Sequence, residues 1–158
     1  MLECRADDCR GAIMTTLCAE CGASFVSGIS CRDYFDTAQA MEFEHPAYFV
    51  VHHLSVPCYL LQHNHYSAAG WFAARRLLHQ FIFTGLTPQM ARRQFQSHSP
   101  SNNSQTIQSS ALGEKLVGAE NINWSYTIGD VRSDTATNYC SDVREWAMAV
   151  LKKTAALL

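Results

Sequence analysis

The sequence predicts a mainly α fold: a single bundle of about five helices, a cysteine knuckle ahead of the first, and at most a short extended segment near 122–128. Three observations carry that expectation. Apolar residues recur at helical spacing in several windows, while strand-like alternation is confined to Asn123-Trp124-Ser125-Tyr126-Thr127-Ile128. Prolines and glycines fall where helices start and stop, with Pro46 and Pro88 at first turns and Gly85 at an end. Hydrophobic residues make up 47% of the 158 and charged residues 16%, a balance that suits one buried core and argues against disorder.

Residues 1–13 read as a poorly ordered extension, since Met14-Thr15-Thr16-Leu17 resembles a natural start of translation; 14–158 then read as one domain. A first helix is expected over 31–44, with Tyr34, Phe35, Ala38, Met41 and Phe43 on its apolar side. It ends at His45, because the residue before a proline resists the α region. A second helix is expected over 46–63, with one stripe of Val51, Leu54, Cys58 and Leu61 and a second of His52, Val56, Tyr59 and His63. A helix apolar over that much of its surface belongs at the centre, and Pro57 should kink it. Ser67 caps a third helix over 68–84 that buries Trp71, Ala74, Leu78 and Phe81. Thr87-Pro88 starts a fourth over 88–97, anchored by Met90 and Phe95. Residues 97–110 read as a polar surface loop and 111–118 as a short helical turn. The last helix starts near Asp134, buries Tyr139, Val143, Trp146 and Val150, and ends on Lys152 and Lys153, cations that its dipole favours.

Charge and hydropathy exclude several classes of function. The net charge of −2 gives no global field for nucleic acid. The pairs Arg75-Arg76, Arg92-Arg93 and Lys152-Lys153 read as solvated helix faces. No apolar run is long enough to span a bilayer, so no membrane role is expected. The first residues lack the apolar core of a secretory signal. Seven cysteines without such a signal read as cytoplasmic thiols and metal ligands, not as a disulfide framework.

Cys18-Ala19-Glu20-Cys21-Gly22 is the segment with the most chemical content. Two cysteines two residues apart, with a glycine after the second, form a turn that aims both sulfurs at one point, and tetrahedral zinc takes four such ligands. If the first two helices form an antiparallel hairpin turning at His45-Pro46, Cys31 lies 14 residues before the turn and His63 18 after it. Both then stand at the end where the knuckle enters. Cys18, Cys21, Cys31 and His63 make a self-consistent Zn2+ set, with His65 or His52 as the other candidates for the fourth ligand. On a continuous helix His52 is ~16 Å from His63. Cys4 and Cys9 offer a second, ribbon-like pairing with the knuckle, although their four-residue gap lacks the usual tight turn. The redox reading of a CxxC pair needs a strand-to-helix context that is missing here.

Further blocks are Glu44-His45-Pro46-Ala47-Tyr48, Val51-His52-His53-Leu54-Ser55-Val56, Tyr59-Leu60-Leu61-Gln62-His63, Trp124 through Val131, and Tyr139-x-x-x-Val143-Arg144-x-Trp146-Ala147. Together with the knuckle and Cys31, over about 14–153, they resemble a bacterial family known only as domain of unknown function 5946. The resemblance implies no activity. It emphasises His52, Tyr59, Gln62 and His63, and it leaves Cys4 and Cys9 outside the pattern. Pro57 and Asn64 depart from it, where the family tends to have an acidic residue and a proline.

The sequence thus favours a zinc-stabilised binding or adaptor module with a protein or small-molecule partner. The alternative is a zinc-dependent, hydrolase-like enzyme with an open metal position near His52 and His63 and with His52, Glu44 or Tyr59 as acid/base groups. Redox or zinc sensing through the knuckle is a third reading. Nucleic-acid recognition is not expected, since Arg32 is the one cation beside the knuckle segment.

Overall fold

A computed structural model describes residues 14–26, 28–97 and 113–157. Cys4, Cys9 and the polar loop beyond Ser97 lie outside the described residues. The fold is mainly α, as expected: helices supply most of the ordered chain, and the described strands form one small hairpin. In that hairpin β1 (Thr15–Leu17) pairs antiparallel with β2 (Ser24–Val26), Thr15 opposite Val26. The knuckle is its turn. Gly22 takes φ 76°, a left-handed conformation that glycine adopts without penalty. The Gly22 N–H donates to the Cys18 carbonyl at 2.9 Å, and the Cys18 N–H donates to the Ala23 carbonyl at 2.8 Å.

Helix α1 spans Cys31–Glu44, the expected bounds. Ser30 starts it through a capping box: its hydroxyl accepts from the Asp33 N–H, and the Asp33 carboxylate accepts from the Ser30 N–H. The expected second helix is two. A single turn, α2 (Pro46–Phe49), is followed by a break at Val50 and Val51 and then by α3 (His52–Gln62). Val51 leaves helical geometry, at φ −111° and ψ 6°, and its side chain is fully buried, so packing wins over helix continuity. Pro57 removes the bond to the His53 carbonyl, yet α3 runs through it.

Ser67 accepts from the Gly70 N–H to cap α4 (Ala68–Phe83), and Gly85 follows at φ 70°. Helix α5 (Pro88–Ser97) starts with the Thr87 hydroxyl accepting from the Met90 N–H. Met90, expected as an anchor, is exposed; Leu86 and Ala91 are the buried residues there. The Phe95 side chain lies outside the described residues. The expected extended segment near 122–128 is not a strand. Thr127 and Asp130 close a capping box around a 3-10 turn at Ile128–Asp130, and Trp124, Ile128 and Val131 plug into the core. Helix α6 (Ala136–Lys153) is capped by Thr135 rather than Asp134, whose carboxylate instead accepts from the Asn138 amide.

Helix α3 is central. Val51 just before it and its own Leu54, Cys58 and Leu61 meet Trp71, Ala74 and Leu78 of α4 and Val143, Trp146 and Val150 of α6, all in one buried cluster. Phe43, expected inside, is exposed. Arg75, expected on a solvated face, is buried: its Nε donates to the Thr154 hydroxyl at 2.8 Å and its Nη2 to the Leu151 carbonyl at 3.2 Å. It thereby satisfies one carbonyl at the end of α6, where the dipole favours a cation. No described helix is long and apolar enough to cross a membrane.

Candidate metal centre

Three separate elements deliver four donor groups to one point. Cys18 and Cys21 come from the hairpin turn, Cys31 from the first position of α1 and His63 from the C-terminal cap of α3. Their ligand atoms all lie within 4.8 Å of one another. The Sγ atoms of Cys21 and Cys31 are 3.6 Å apart, and His63 Nε2 is 3.3 Å from Cys31 Sγ and 3.6 Å from Cys18 Sγ. A tetrahedron with zinc–sulfur bonds of ~2.3 Å has edges of ~3.8 Å, slightly shorter where one ligand is nitrogen. The spacing therefore fits a zinc-sized ion.

The orientation of His63 fits as well. Its Nδ1–H donates to the Tyr59 carbonyl at 2.8 Å, which leaves the lone pair of Nε2 facing the sulfurs. The Tyr59 ring stacks on Phe35 at 3.8 Å between centroids and on His63 at 4.0 Å, so three rings in register hold the imidazole. Cys21, Cys31 and His63 are buried, and Cys18 is partly exposed.

The electrostatics favour positive charge at the centre of the cluster. A hydrogen bond from Cys31 holds Cys21 down to about 4, against the opposing effect of burial. The same pairing, with burial, pushes Cys31 well above its ordinary range. Burial disfavours charge on His63, but hydrogen bonds with Cys21 and with the Tyr59 carbonyl raise it to about 9. The lowered Cys21 and the raised His63 both favour positive charge among these groups, a task that a proton on His63 would do. A divalent cation would do the same task with all three sulfurs ionised.

A cleft of about 250 Å³ opens beside the cluster. Cys18, Cys31 and His63 line it with Leu17, Phe25, Ile29 and Tyr59 on its apolar side, and Thr16, Glu20, Ser30 and Arg32 complete the wall. Cys21 does not reach it.

The other candidates lie elsewhere. His52 is at the opposite end of α3, ~16 Å away by helical rise. Its Nδ1–H donates to Glu42 Oε2 at 2.7 Å. His65 stands next to His63, with ring centroids 5.8 Å apart, but falls outside the ligand set. Glu44 is exposed at the end of α1. Cys58 and Cys140 are buried in the helical core.

Sequence reasoning missed Glu42. It is fully buried, and its carboxylate accepts from the Tyr139 hydroxyl at 2.7 Å, from His52 and from the Gln39 amide at 3.0 Å, joining α1, α3 and α6. A signal was present: position 42 continues the stripe of Cys31, Phe35 and Ala38.

A family profile described as "Family of unknown function (DUF5946)" matches residues 16–155. The chain belongs to that family. The DUF5946 match contains all four residues of the cluster and begins after Cys4 and Cys9. No curated protein matches the chain, and no solved structure does.

Proposed function

We propose that this DUF5946 chain is a cytoplasmic, zinc-stabilised helical domain that acts as a binding or adaptor module for a protein or small-molecule partner. The carrying observation is the cluster of Cys18, Cys21, Cys31 and His63, with four donor atoms within 4.8 Å of one another. Four filled positions leave no protein-imposed vacancy for substrate, the property that separates structural from catalytic zinc. The metal would fasten a hairpin with little core of its own to the ends of α1 and α3. An exposed aromatic surface supports the binding role: Phe43 and Phe49, 68% and 40% exposed, flank His52 at the junction of α1 and α2, with Val50 beside them.

One observation favours a second reading, a metal-dependent enzyme. The cleft reaches three of the four ligands, so a small molecule could approach the ion without passing through the core. His52, held ~16 Å away by helical rise, is no part of that site. X-ray absorption at the zinc edge of purified protein separates the two. Three sulfur neighbours and one nitrogen neighbour support the structural reading. Two sulfurs or fewer, with a water oxygen, support the enzyme, and protein without stoichiometric metal refutes both.

A further inference from the structure

Arg75 is a buried cation with no ion-pair partner among the described residues. It is 8% exposed, and no described carboxylate forms a salt bridge with it. Burial alone shifts its guanidinium, downward from the ordinary arginine value. Its Nε and Nη2 donate to the Thr154 hydroxyl and the Leu151 carbonyl, and Nη1 has no hydrogen bond to a described residue. The end of a helix supplies only about half a unit of negative charge. Buried charges are otherwise paired, so the positive charge of Arg75 is compensated only in part.

Arg75 lines an open groove of about 510 Å³ along α4, and the other described residues of the wall are Ala69, Phe72, Ala73, Arg76 and His79. That wall brings together two guanidiniums and an imidazole and holds no described carboxylate. Arg76 and His79 are exposed and lie about one turn apart on the helix. Phe72, 39% exposed, stands one turn before Arg76 and sets an apolar surface beside the charges. The sequence is segregated in the same sense. No Asp or Glu occurs between Glu44 and Glu114, whereas Arg75, Arg76, Arg92 and Arg93 all fall there. A chain of net charge −2 thus carries arginine on α4 and α5 with no acid on either helix.

We propose that the groove on α4 binds a small soluble phosphate monoester with an aromatic body, its phosphate held by Arg75, Arg76 and His79 and its body lying on Phe72. A phosphate monoester carries close to two negative charges at neutral pH, which suits two guanidiniums better than the single charge of a carboxylate. Guanidinium forks take phosphate oxygens in pairs. Arg75 is already fixed by its bonds to α6, so it loses little freedom on binding. The volume of the groove is that of a small-molecule site. It shares no residue with the metal cluster, so the inference stands apart from the zinc reading and adds a chemical class of ligand to it.

The test is calorimetric titration of the full-length protein with phenyl phosphate at low ionic strength and neutral pH, with inorganic phosphate and benzoate in parallel. One phenyl phosphate per chain is expected, at least ~10-fold tighter than either comparison. Arg76→Gln removes an exposed side chain that makes no hydrogen bond to a described residue, so the fold should be unchanged and affinity should fall ~10-fold or more. Arg92→Gln removes the same charge outside the groove and should leave affinity within ~2-fold. Phe72→Ala should bring phenyl phosphate down to the affinity of inorganic phosphate. No binding, equal loss in the Arg76 and Arg92 variants, or inorganic phosphate binding as tightly (an adventitious ion only) overturns the proposal. Benzoate binding as tightly overturns the phosphate class. Capture of the protein by phosphatidylcholine vesicles containing phosphatidic acid assigns the ester to a lipid headgroup and overturns the soluble ligand. Zinc content is measured on the same samples, so the metal reading stands or fails separately.

Discussion

Removing the metal should melt the hairpin and spare the helices. Ordering residues 15–26, about a dozen, costs ~1–2 kcal/mol each in backbone entropy. Against this the hairpin buries only three side chains: Phe25, worth ~1.5–3 kcal/mol when fully buried, and the much smaller Cys21 and Ala23. Both strands are three residues long and β1 is exposed throughout, so pairing adds little. Structural zinc contributes ~10–16 kcal/mol in small zinc peptides, which is the size of the deficit. The helical core has no such dependence, since Trp71, Leu61, Val143, Val150 and Trp146 are buried without help from the hairpin. Hydrogen exchange followed by mass spectrometry, with and without a strong chelator, reads both parts at once. Protection in 15–26 should vanish on chelation while α3 and α6 keep theirs. Unchanged protection in the hairpin of metal-free protein would refute the reasoning, and so would global unfolding that takes α3 and α6 at the same chelator concentration.

Replacing both Cys18 and Cys21 with Ser should abolish stoichiometric zinc, whereas replacing Cys4 and Cys9 should leave it intact; elemental analysis of the two purified variants decides. Glu42→Gln places an amide donor against donors from Tyr139, His52 and Gln39, and should lower stability by ~1–3 kcal/mol, read as a shifted urea midpoint with unchanged slope. Tyr139→Phe should be less than additive with it, since the two side chains share one hydrogen bond. Hydrogen bonds from Arg132, two from the guanidinium and one from the backbone N–H, hold the Asp142 carboxyl below the usual carboxylate range against burial. A depressed folded pKa stabilises above the ordinary carboxylate pKa, and that stability fades as pH falls through the folded value. Wild type should therefore melt above Asp142→Asn at pH 7, and the two curves should converge in acid.

Where local chemistry decides, the fold was legible. Ser67, Thr87, Pro46, Pro88 and Gly85 mark helix ends by capping and φ preference, and the end of α1, both ends of α4 and the start of α5 fall near where those residues put them. The meeting of Cys31 with His63 followed from counting residues on either side of the turn at His45. Features set by packing were not legible. The break at Val51 exists because its side chain fills the core, which no local preference announces. The hairpin strands are too short to show a period. The segment before Val131 alternates in sequence but closes into a 3-10 turn because Thr127 and Asp130 bond to each other's backbone. Arg75 and Glu42 were hidden because a charged residue on a buried face is a rare event whose partners, Thr154, Leu151 and Tyr139, lie far along the chain.

Gln62 precedes His63, and its side chain is held from both ends. Its carbonyl oxygen accepts from Trp146 Nε1 at 2.9 Å, and its amide donates to the Tyr126 carbonyl at 2.7 Å. That double hold locks the last turn of α3 to α6 and to the loop before Val131. His63 and Cys31 thus stand on a scaffold that no ion has to assemble, whereas Cys18 and Cys21 ride on a hairpin with little core of its own. Metal capture should accordingly be ordered in time, the ion meeting the imidazole and the α1 thiolate first and the hairpin closing over it afterwards. Loss should run in reverse, with the hairpin sulfurs letting go before the helical ones.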